Sequence, residues 1–561
     1  MTTSARDSGR QRVVAVTGGG GGIGAAIAEE LGRRGAFVVT MDPLVSVDGS
    51  EQLAPSGETT AGRIAAAGGS ARATPVSVTD RDGVRSLFEG LVDELGGLDA
   101  VVNVAGITRP TGVATGTEGD WLDVLDVHLN GYRNVLDAAL PIMAAAGHGR
   151  VLGVTSGSGW RPANAGAYSC AKRAVASLTW QLGRAAPPGV VVNAMSPIAA
   201  TRMVTAALAR APRPGGGRPS ATGGLSLASM PTPEQLGPLG AHLVGEDLSW
   251  CSGQVVFAGG SELAVIDEPR LLEVVRTDGV PSLANLLHAV TAHALVPAEA
   301  KQVSAGGANA RFAAVFEGSP ADDLPAVAVS TCAVICGRAD LGAQVAAALD
   351  ARGVTTTTID VGGSPASFAG AAAALAEATA RVGPLDAVAV ALAGGAPDTS
   401  ASSEWERVLT EHTGIVEQIH ADASWVRAVA DLAAAVDRPM RLVVLTDATT
   451  AGGRSRAQAS AQLARAARGA TEERVTACTV SVEVPSPTGS QAVADLAAHL
   501  VCSPDAPSLS GAELVAGSGW FGLRSHPRPG GSIAYGGPAI PPWLDDTLRS
   551  IVGLPRLEQE R

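Results

Sequence analysis

From residue 12 the chain alternates short apolar runs with amphipathic stretches. "RVVAV" (12–16) is continuously apolar, "TGGGGGIG" (17–24) is a glycine loop, and "AAIAEELGRRG" (25–35) repeats its apolar positions every three or four residues. "AFVVTMD" (36–42), "LDAVVNVAG" (98–106), "GRVLGVTS" (149–156) and "GVVVNAMSP" (189–197) are further apolar runs, separated by helical-period segments. Short apolar runs bounded by turn residues read as strands buried on both faces. Their alternation with helices predicts a doubly wound parallel sheet.

Near residue 325 the pattern starts again. "AVAVSTCAVICG", "GVTTTTID", "PLDAVAVALAGG", "RLVVLTD" and "RVTACTVSVEV" predict five more strands. Internal matches run in a common order: "LDAV" at 98–101 and 385–388, a Trp seven residues before a His (Trp121 and His128, Trp405 and His412), and "AHLV" at 241–244 and 498–501. "SGQVVFAGG" (252–260) parallels "SGAELVAGS" (510–518), and these last two matches share offsets of 257 and 258 residues. The pattern predicts an α/β chain of two consecutive Rossmann-type doubly wound domains. The expected boundaries are 1–265 for a catalytic domain, 266–324 for a partly helical linker, 325–525 for a degenerate, non-catalytic copy and 526–561 for a C-terminal arm. Within the linker, "EPRLLEVVRTDG" and "SLANLLHAVTAHAL" read as helices.

Composition narrows the classes. A chain of 561 residues exceeds one ordinary core, and 46% hydrophobic with 17% charged residues describes a globular protein. The net charge is −13 and Arg forms no basic block, which argues against nucleic acid or an anionic membrane as main partner. Six Cys (170, 251, 332, 336, 478, 502) form no CxxC pair, so a reduced, cytoplasmic protein is expected, with Cys332 and Cys336 as core thiols and no metal site. "MTTSARDSGRQR" has no signal-peptide character, and no apolar run reaches the length of a membrane span.

The glycine loop lies between a strand and a helix, the context a phosphate-binding turn requires. Gly18, Gly22 and Gly24 allow a tight turn and close backbone approach, and the helix N-terminus offers free N–H groups to a pyrophosphate. The next strand ends at Asp42. A carboxylate there accepts hydrogen bonds from the ribose of NAD and repels the 2′-phosphate of NADP, so NADH is expected over NADPH. Further on, "AYSCAK" (167–172) sets Tyr168 four residues before Lys172. The chain holds 3 Tyr and only two Lys, Lys172 and Lys301, so chance supplies roughly 0.01 such pairs. On a helix the two share one face, and a nearby cation favours phenolate.

With these residues in hand, the chain resembles the short-chain dehydrogenase/reductase family over about residues 12–265. Thr17–Gly24 resembles its TGxxxGIG motif, with Ile23 in place. "NVAG" (103–106), with Asn103, Ala105 and Gly106, is similar to its NNAG. "YSCAK" fits YxxxK, and "NAMSP" (193–197) fits the late NAxxP element ending at Pro197. The resemblance implies Tyr168 as acid/base, Lys172 as its pKa modulator and ribose contact, and Ser156, with Ser158 as alternative, as the donor that polarises the substrate oxygen. It places His128 where the family has an Asn that holds a proton-relay water; His128 serves that role or only packs. Ser77 and Val78 fall at the adenine, with Ser77 where an Asp is common. Thr201 falls at the nicotinamide carboxamide, and Ile198 replaces a Gly after Pro197. "GAFVVTMD", the long insert after Asp42, "VHLNG" (127–131) and "PIAATRM" (197–203) look like the 3-hydroxyacyl-CoA dehydrogenase and 3-oxoacyl reductase branch. The basic stretch with Arg210, Arg213 and Arg218 lies where the family has a substrate lid, facing a CoA or carrier-protein phosphate or simply solvent.

The second half lacks the chemistry. Its loop, "CGRADLG" (336–342), places Asp340 where a pyrophosphate would lie. Asp447 stands at the position of Ser156, and "AQASAQLARA" (457–466) runs where Tyr and Lys would fall. A fused degenerate copy is expected to act as a built-in partner, its Ala-rich helix packing on the Tyr168 helix in a pseudo-dimer, with whole chains forming homodimers. The expected function is interconversion of a ketone and a secondary alcohol with NAD(H), on a 3-oxoacyl or 3-hydroxyacyl thioester or a cyclic ketone. A redox-neutral epimerase and a non-catalytic dinucleotide-binding scaffold are the alternatives.

Overall fold

The computed structural model describes residues 10–54, 58–210, 230–280, 282–303, 327–362, 366–483, 490–537 and 539–553. In chain order the strands of the first half are β1 (Val13–Thr17), β2 (Phe37–Met41), β3 (Ser70–Thr74), β4 (Ala100–Asn103), β5 (Gly149–Val154), β6 (Val190–Pro197), β7 (Val255–Gly259) and β8 (Glu262–Ile266). They are followed by β9 (Leu271–Arg276), β10 (Thr331–Cys336), β11 (Thr355–Asp360), β12 (Ala387–Leu392), β13 (Met440–Asp447), β14 (Val475–Val482), β15 (Glu513–Gly517), β16 (Trp520–Arg524) and β17 (Pro529–Ala534).

The strands form two sheets. One runs β17-β8-β7-β6-β5-β4-β1-β2-β3 and the other β11-β10-β12-β13-β14-β15-β16-β9. From β3 to β7 and from β11 to β15 all pairings are parallel. Among the described residues the second sheet repeats the first without a counterpart of β3. β1 is buried at every position, as a central parallel strand covered on both faces must be.

The outer strands cross between the halves. β9 leaves the first half and pairs antiparallel with β16, while β17 leaves the second half and pairs antiparallel with β8. The stretch 268–279 therefore holds a strand where its sequence reads as a helix. Leu271, Leu272, Val274 and Val275 fall at helical spacing, but the free edge of β16 supplies a ladder, and Val is well suited to it. The next two helices, Leu283–Val290 and Val296–Val303, pack Leu287, Val290 and Ala298 into the apolar core of the second sheet. The C-terminal arm in turn packs Ile533, Leu544 and Leu548 onto the first sheet. His242 of the first half meets Asp545 of the arm at 2.7 Å.

Between the sheets, helix Gly166–Ala185 lies against helix Ala451–Ala470. The contact is lined with small side chains. Ser455 Oγ donates to Ser177 Oγ (3.0 Å), and Gln181 Nε2 donates to the Ala451 carbonyl (3.2 Å). One apolar cluster runs through both halves, from Val13 to Ala477, and Trp121 meets Phe368 edge to face at 6.0 Å. The Tyr168 helix is thus sandwiched between its own sheet and the second half.

Candidate active site

The C-terminal ends of β1, β2, β4, β5 and β6 open into one cleft of about 620 Å³, within the size of small-molecule and cofactor sites. At β1 the Thr17 hydroxyl donates to Asn103 Oδ1 (2.8 Å) and accepts from the Ala105 amide (3.1 Å), tying the glycine loop to the end of β4. Gly18 and Gly22 have φ of 62° and 55°, the left-handed region that side chains avoid. A side chain on Gly24 would strike the Gly18 carbonyl, so helix Gly22–Arg33 begins hard against the loop. The first turn of that helix carries no acidic residue, which leaves its N-terminus open to an anion.

Asp42 closes one side of this loop. Its carboxylate accepts from the Gly20 amide (3.0 Å) and the Leu44 amide (2.8 Å). The insert after Asp42 arches back over the cleft. Val45 pairs with Gln52, the Thr108 amide donates to the Val47 carbonyl (2.9 Å), and Arg109 Nε donates to the Asp48 carbonyl (2.8 Å). Arg202 reaches the loop from the other side: a Cβ on Gly21 would sit 3.4 Å from its Nη2. Sequence reasoning passed over Arg202 although it directly follows Thr201. It also passed over the wall formed by Pro43, Val45, Ser46 and Val47. An insert that folds back gives no periodic signal, and a lone Arg is silent until its neighbours are known.

At the other end of the cleft Ser156, Tyr168, Lys172 and His128 meet. Lys172, only 3% exposed, donates from Nζ to the Val154 carbonyl (2.6 Å) and lies 5.7 Å from the Tyr168 ring centroid. Burial of this ammonium pushes its pKa down to about 7. Tyr168 is raised by burial, and its hydrogen bond with Ser156 works the other way. The net direction at Tyr168 is upward, set by desolvation. The His128 ring stands edge-on to Tyr168 at 5.0 Å between centroids. Its Nε2 meets the Ile107 carbonyl at 2.7 Å, whereas its Nδ1 is buried without a hydrogen-bond partner. Burial and the Lys172 charge hold His128 well below its ordinary pKa, so the ring is neutral. It sits in a π-turn, Asp126–Asn130, an irregularity frequent at functional sites.

Of the residues singled out in the sequence, Gly18, Gly22, Ile23, Asp42, Ser77, Val78, Ala105, Gly106, Pro197 and Thr201 line the cleft together with the four above. Thr17, Gly24 and Asn103 stand behind its wall as supports. Ser158 is not on the wall, and Asn130 is turned to Asp126 and Arg133. Ile198 packs beside Trp160 and Phe257, away from the cleft, which accounts for an apolar residue there. Arg213 and Arg218, like the side chain of Arg210, lie outside the described residues.

In the second half, Arg338 occupies the corresponding loop, with Nη1 3.4 Å from Asp447 and Nε 3.4 Å from Asp340. Helix Ala451–Ala470 begins six residues earlier than the stretch read as its Tyr–Lys equivalent. Counted from the helix start, Gly453 and Ala457 hold the third and seventh positions, which Tyr168 and Lys172 hold in Gly166–Ala185.

A doubly wound sheet with a glycine loop, a carboxylate at the end of β2 and a Tyr–Lys pair at one cleft defines a dinucleotide-dependent oxidoreductase. Residues 12–211 match the family described as short chain dehydrogenase. The chain is 33% identical over 257 residues to the short-chain reductase protein NovJ of Streptomyces niveus, covering 45% of this chain and 94% of that one. It is 34% identical over 199 residues to the acetoacetyl-CoA reductase of Cupriavidus necator, 35% of this chain and 78% of the reductase. It is 30% identical over 258 residues to the peroxisomal hydratase-dehydrogenase-epimerase of Neurospora crassa, 45% of this chain but only 26% of that much longer protein. The chain belongs to the short-chain dehydrogenase/reductase family and is an oxidoreductase, of a family that binds NAD or NADP. Among the described residues no helix is long and apolar enough to cross a membrane.

Proposed function

We propose that the first half interconverts a ketone and a secondary alcohol with NAD(H), and that the second half carries no active site. The observation that supports this most directly is the shared cleft, with Asp42 and the glycine loop at one end and Ser156, Tyr168 and Lys172 at the other. The open positions at Gly21 and Gly22 and the acid-free helix start suit a dinucleotide. When bound, the nicotinamide supplies or accepts the hydride. Thr201 and Pro197 would hold that ring, Arg202 and the loop amides the pyrophosphate, Ser77 and Val78 the adenine, and Asp42 the ribose, which favours NADH over NADPH.

In the reducing direction the Tyr168 hydroxyl gives its proton to the substrate oxygen while the Ser156 hydroxyl donates a hydrogen bond to the same oxygen. Lys172 holds positive charge beside the phenolate left behind. The free Nδ1 of His128 is an acceptor one ring away from Tyr168 and suits a water that resupplies the proton. The relative that reduces acetoacetyl-CoA makes a 3-oxoacyl thioester the first substrate class to assay. Loss of NADH absorbance with acetoacetyl-CoA tests the reading. Tyr168→Phe should lower turnover by about 10²–10⁴-fold, the usual share of general acid catalysis, and leave NADH binding in place. Full turnover in that variant would refute the assignment.

A further inference from the structure

Ser156 sits at the start of a tight turn, Gly157–Gly159, and accepts from the Ser158 amide (3.2 Å). The turn is pressed onto the catalytic helix: a Cβ on Gly159 would lie 2.8 Å from the Lys172 carbonyl carbon. Its outward carbonyls are not left to solvent. Gln462 Nε2, from the second half, donates to the carbonyls of Ser158 (2.9 Å) and Arg161 (2.7 Å), and Arg465 Nη1 donates to that of Trp160 (3.0 Å). Gln462 is 1% exposed and its own Oε1 has no partner, so the amide is committed to donation alone.

The same face of helix Ala451–Ala470 grips the next turn of the catalytic helix. Arg173 donates from Nε to Gln458 Oε1 (2.7 Å) and pairs with Glu513 (2.9 Å), all three buried. Gln458, Gln462 and Arg465 follow one another at helical spacing of four and three. The hold that Gln462 and Arg465 exert is not mirrored at the equivalent positions of the first half. The twelfth and fifteenth positions of the catalytic helix, which correspond to Gln462 and Arg465, are Ser177 and Trp180. Ser177 meets Ser455, and Trp180 packs in an apolar cluster.

We propose that the second half is a positioning element for catalysis, with Gln462 and Arg465 fixing the turn that aims Ser156 at Tyr168 and at the substrate oxygen. This rests on the role given to Ser156 above. It explains why a copy without reacting groups is retained: it does the work of a partner subunit on one catalytic turn, at a fixed stoichiometry.

The test uses the full chain with ζ-¹³C-tyrosine, whose 3 Tyr are told apart with Tyr168→Phe. The Tyr168 ζ-carbon shift at about pH 8 reports its hydrogen bonding without any substrate. Gln462→Met, which keeps length but donates nothing, should move this signal in the direction of Ser156→Ala, and should move it no further in the Ser156→Ala background. Arg465→Met provides a second variant for the same cycle. NADH affinity should change less than twofold, while kcat on acetoacetyl-CoA falls about tenfold with little change in KM. A signal unmoved by both variants, or an undiminished effect in the Ser156→Ala background, would overturn the proposal. Absence of turnover with the signal behaving as described would count against the functional reading only.

Discussion

Lys172 Nζ donates to the Val154 carbonyl at 2.6 Å, behind Tyr168 and almost wholly out of solvent. Among the described residues no carboxylate faces it, and its pKa falls to about 7 from an ordinary value of 10.5. A base whose folded pKa is lowered costs stability in full below the folded value, and the cost fades as pH rises to the unfolded one. Lys172→Met should therefore stabilise the fold, on the order of 2–4 kcal/mol near pH 6.5, and abolish turnover. Denaturant unfolding at pH 6.5 and 9.5 checks this. The gain should shrink at the higher pH, and a variant less stable than the parent at pH 6.5 would contradict the account.

Asp42 sets the cofactor preference in this account. Asp42→Asn keeps the shape and an acceptor for one of the two amides, Gly20 and Leu44, which bond different carboxylate oxygens, and it removes the charge. At an effective dielectric near 20, one charge a few ångströms away is worth about 1–3 kcal/mol. The NADPH-to-NADH affinity ratio should rise by about 10–100-fold. An unchanged ratio would place the preference elsewhere.

Acid should unfold the chain early. His412 and His499 are buried with pKa values near 3, and His128 is held well below its usual value, all by desolvation. Folded values below the unfolded one mean that the unfolded chain binds more protons, so stability is present above about pH 6.5 and is lost as pH falls toward the folded values. Each such group contributes about 1.4 kcal/mol per pH unit once the unfolded histidine is protonated. His412 Nδ1 faces the Val408 carbonyl (2.6 Å), and its Nε2 lies 2.8 Å from Ser455 Oγ. Measured by urea midpoints from pH 7 to 5, His412→Gln should flatten the slope by about one proton. A slope equal to the parent's would show that His412 charges within the fold.

The glycine loop, Asp42 and the Tyr168–Lys172 pair were legible because each is local: a turn, a strand end, a helix face. The parallel strands were legible because burial on both faces writes itself as an apolar run. β9 and β17 were not: the apolar residues of β9 fall equally well on a helix face, and β17, an edge strand with one partner, carries little apolar signal. Gly531 and Ser532 of β17 are held by the ladder to β8 rather than by burial. The Arg338–Asp447 pair was invisible for another reason. Asp447 was recognised as a departure from serine, but the cation that answers it lies 109 residues away in sequence. The dryness around Tyr168 and Lys172 was not legible either, because spacing shows which charges are near and says nothing of how buried they are.

The central claim is one cofactor site per chain, built on Asp42. Calorimetric titration of the purified chain with NADH and then with NADPH tests it without a substrate. The account predicts one NADH per chain, with NADPH at least about tenfold weaker. Two NADH per chain would give the second half a site in spite of Arg338 and Asp447, and equal affinity for NADPH would remove the role assigned to Asp42; either result contradicts it.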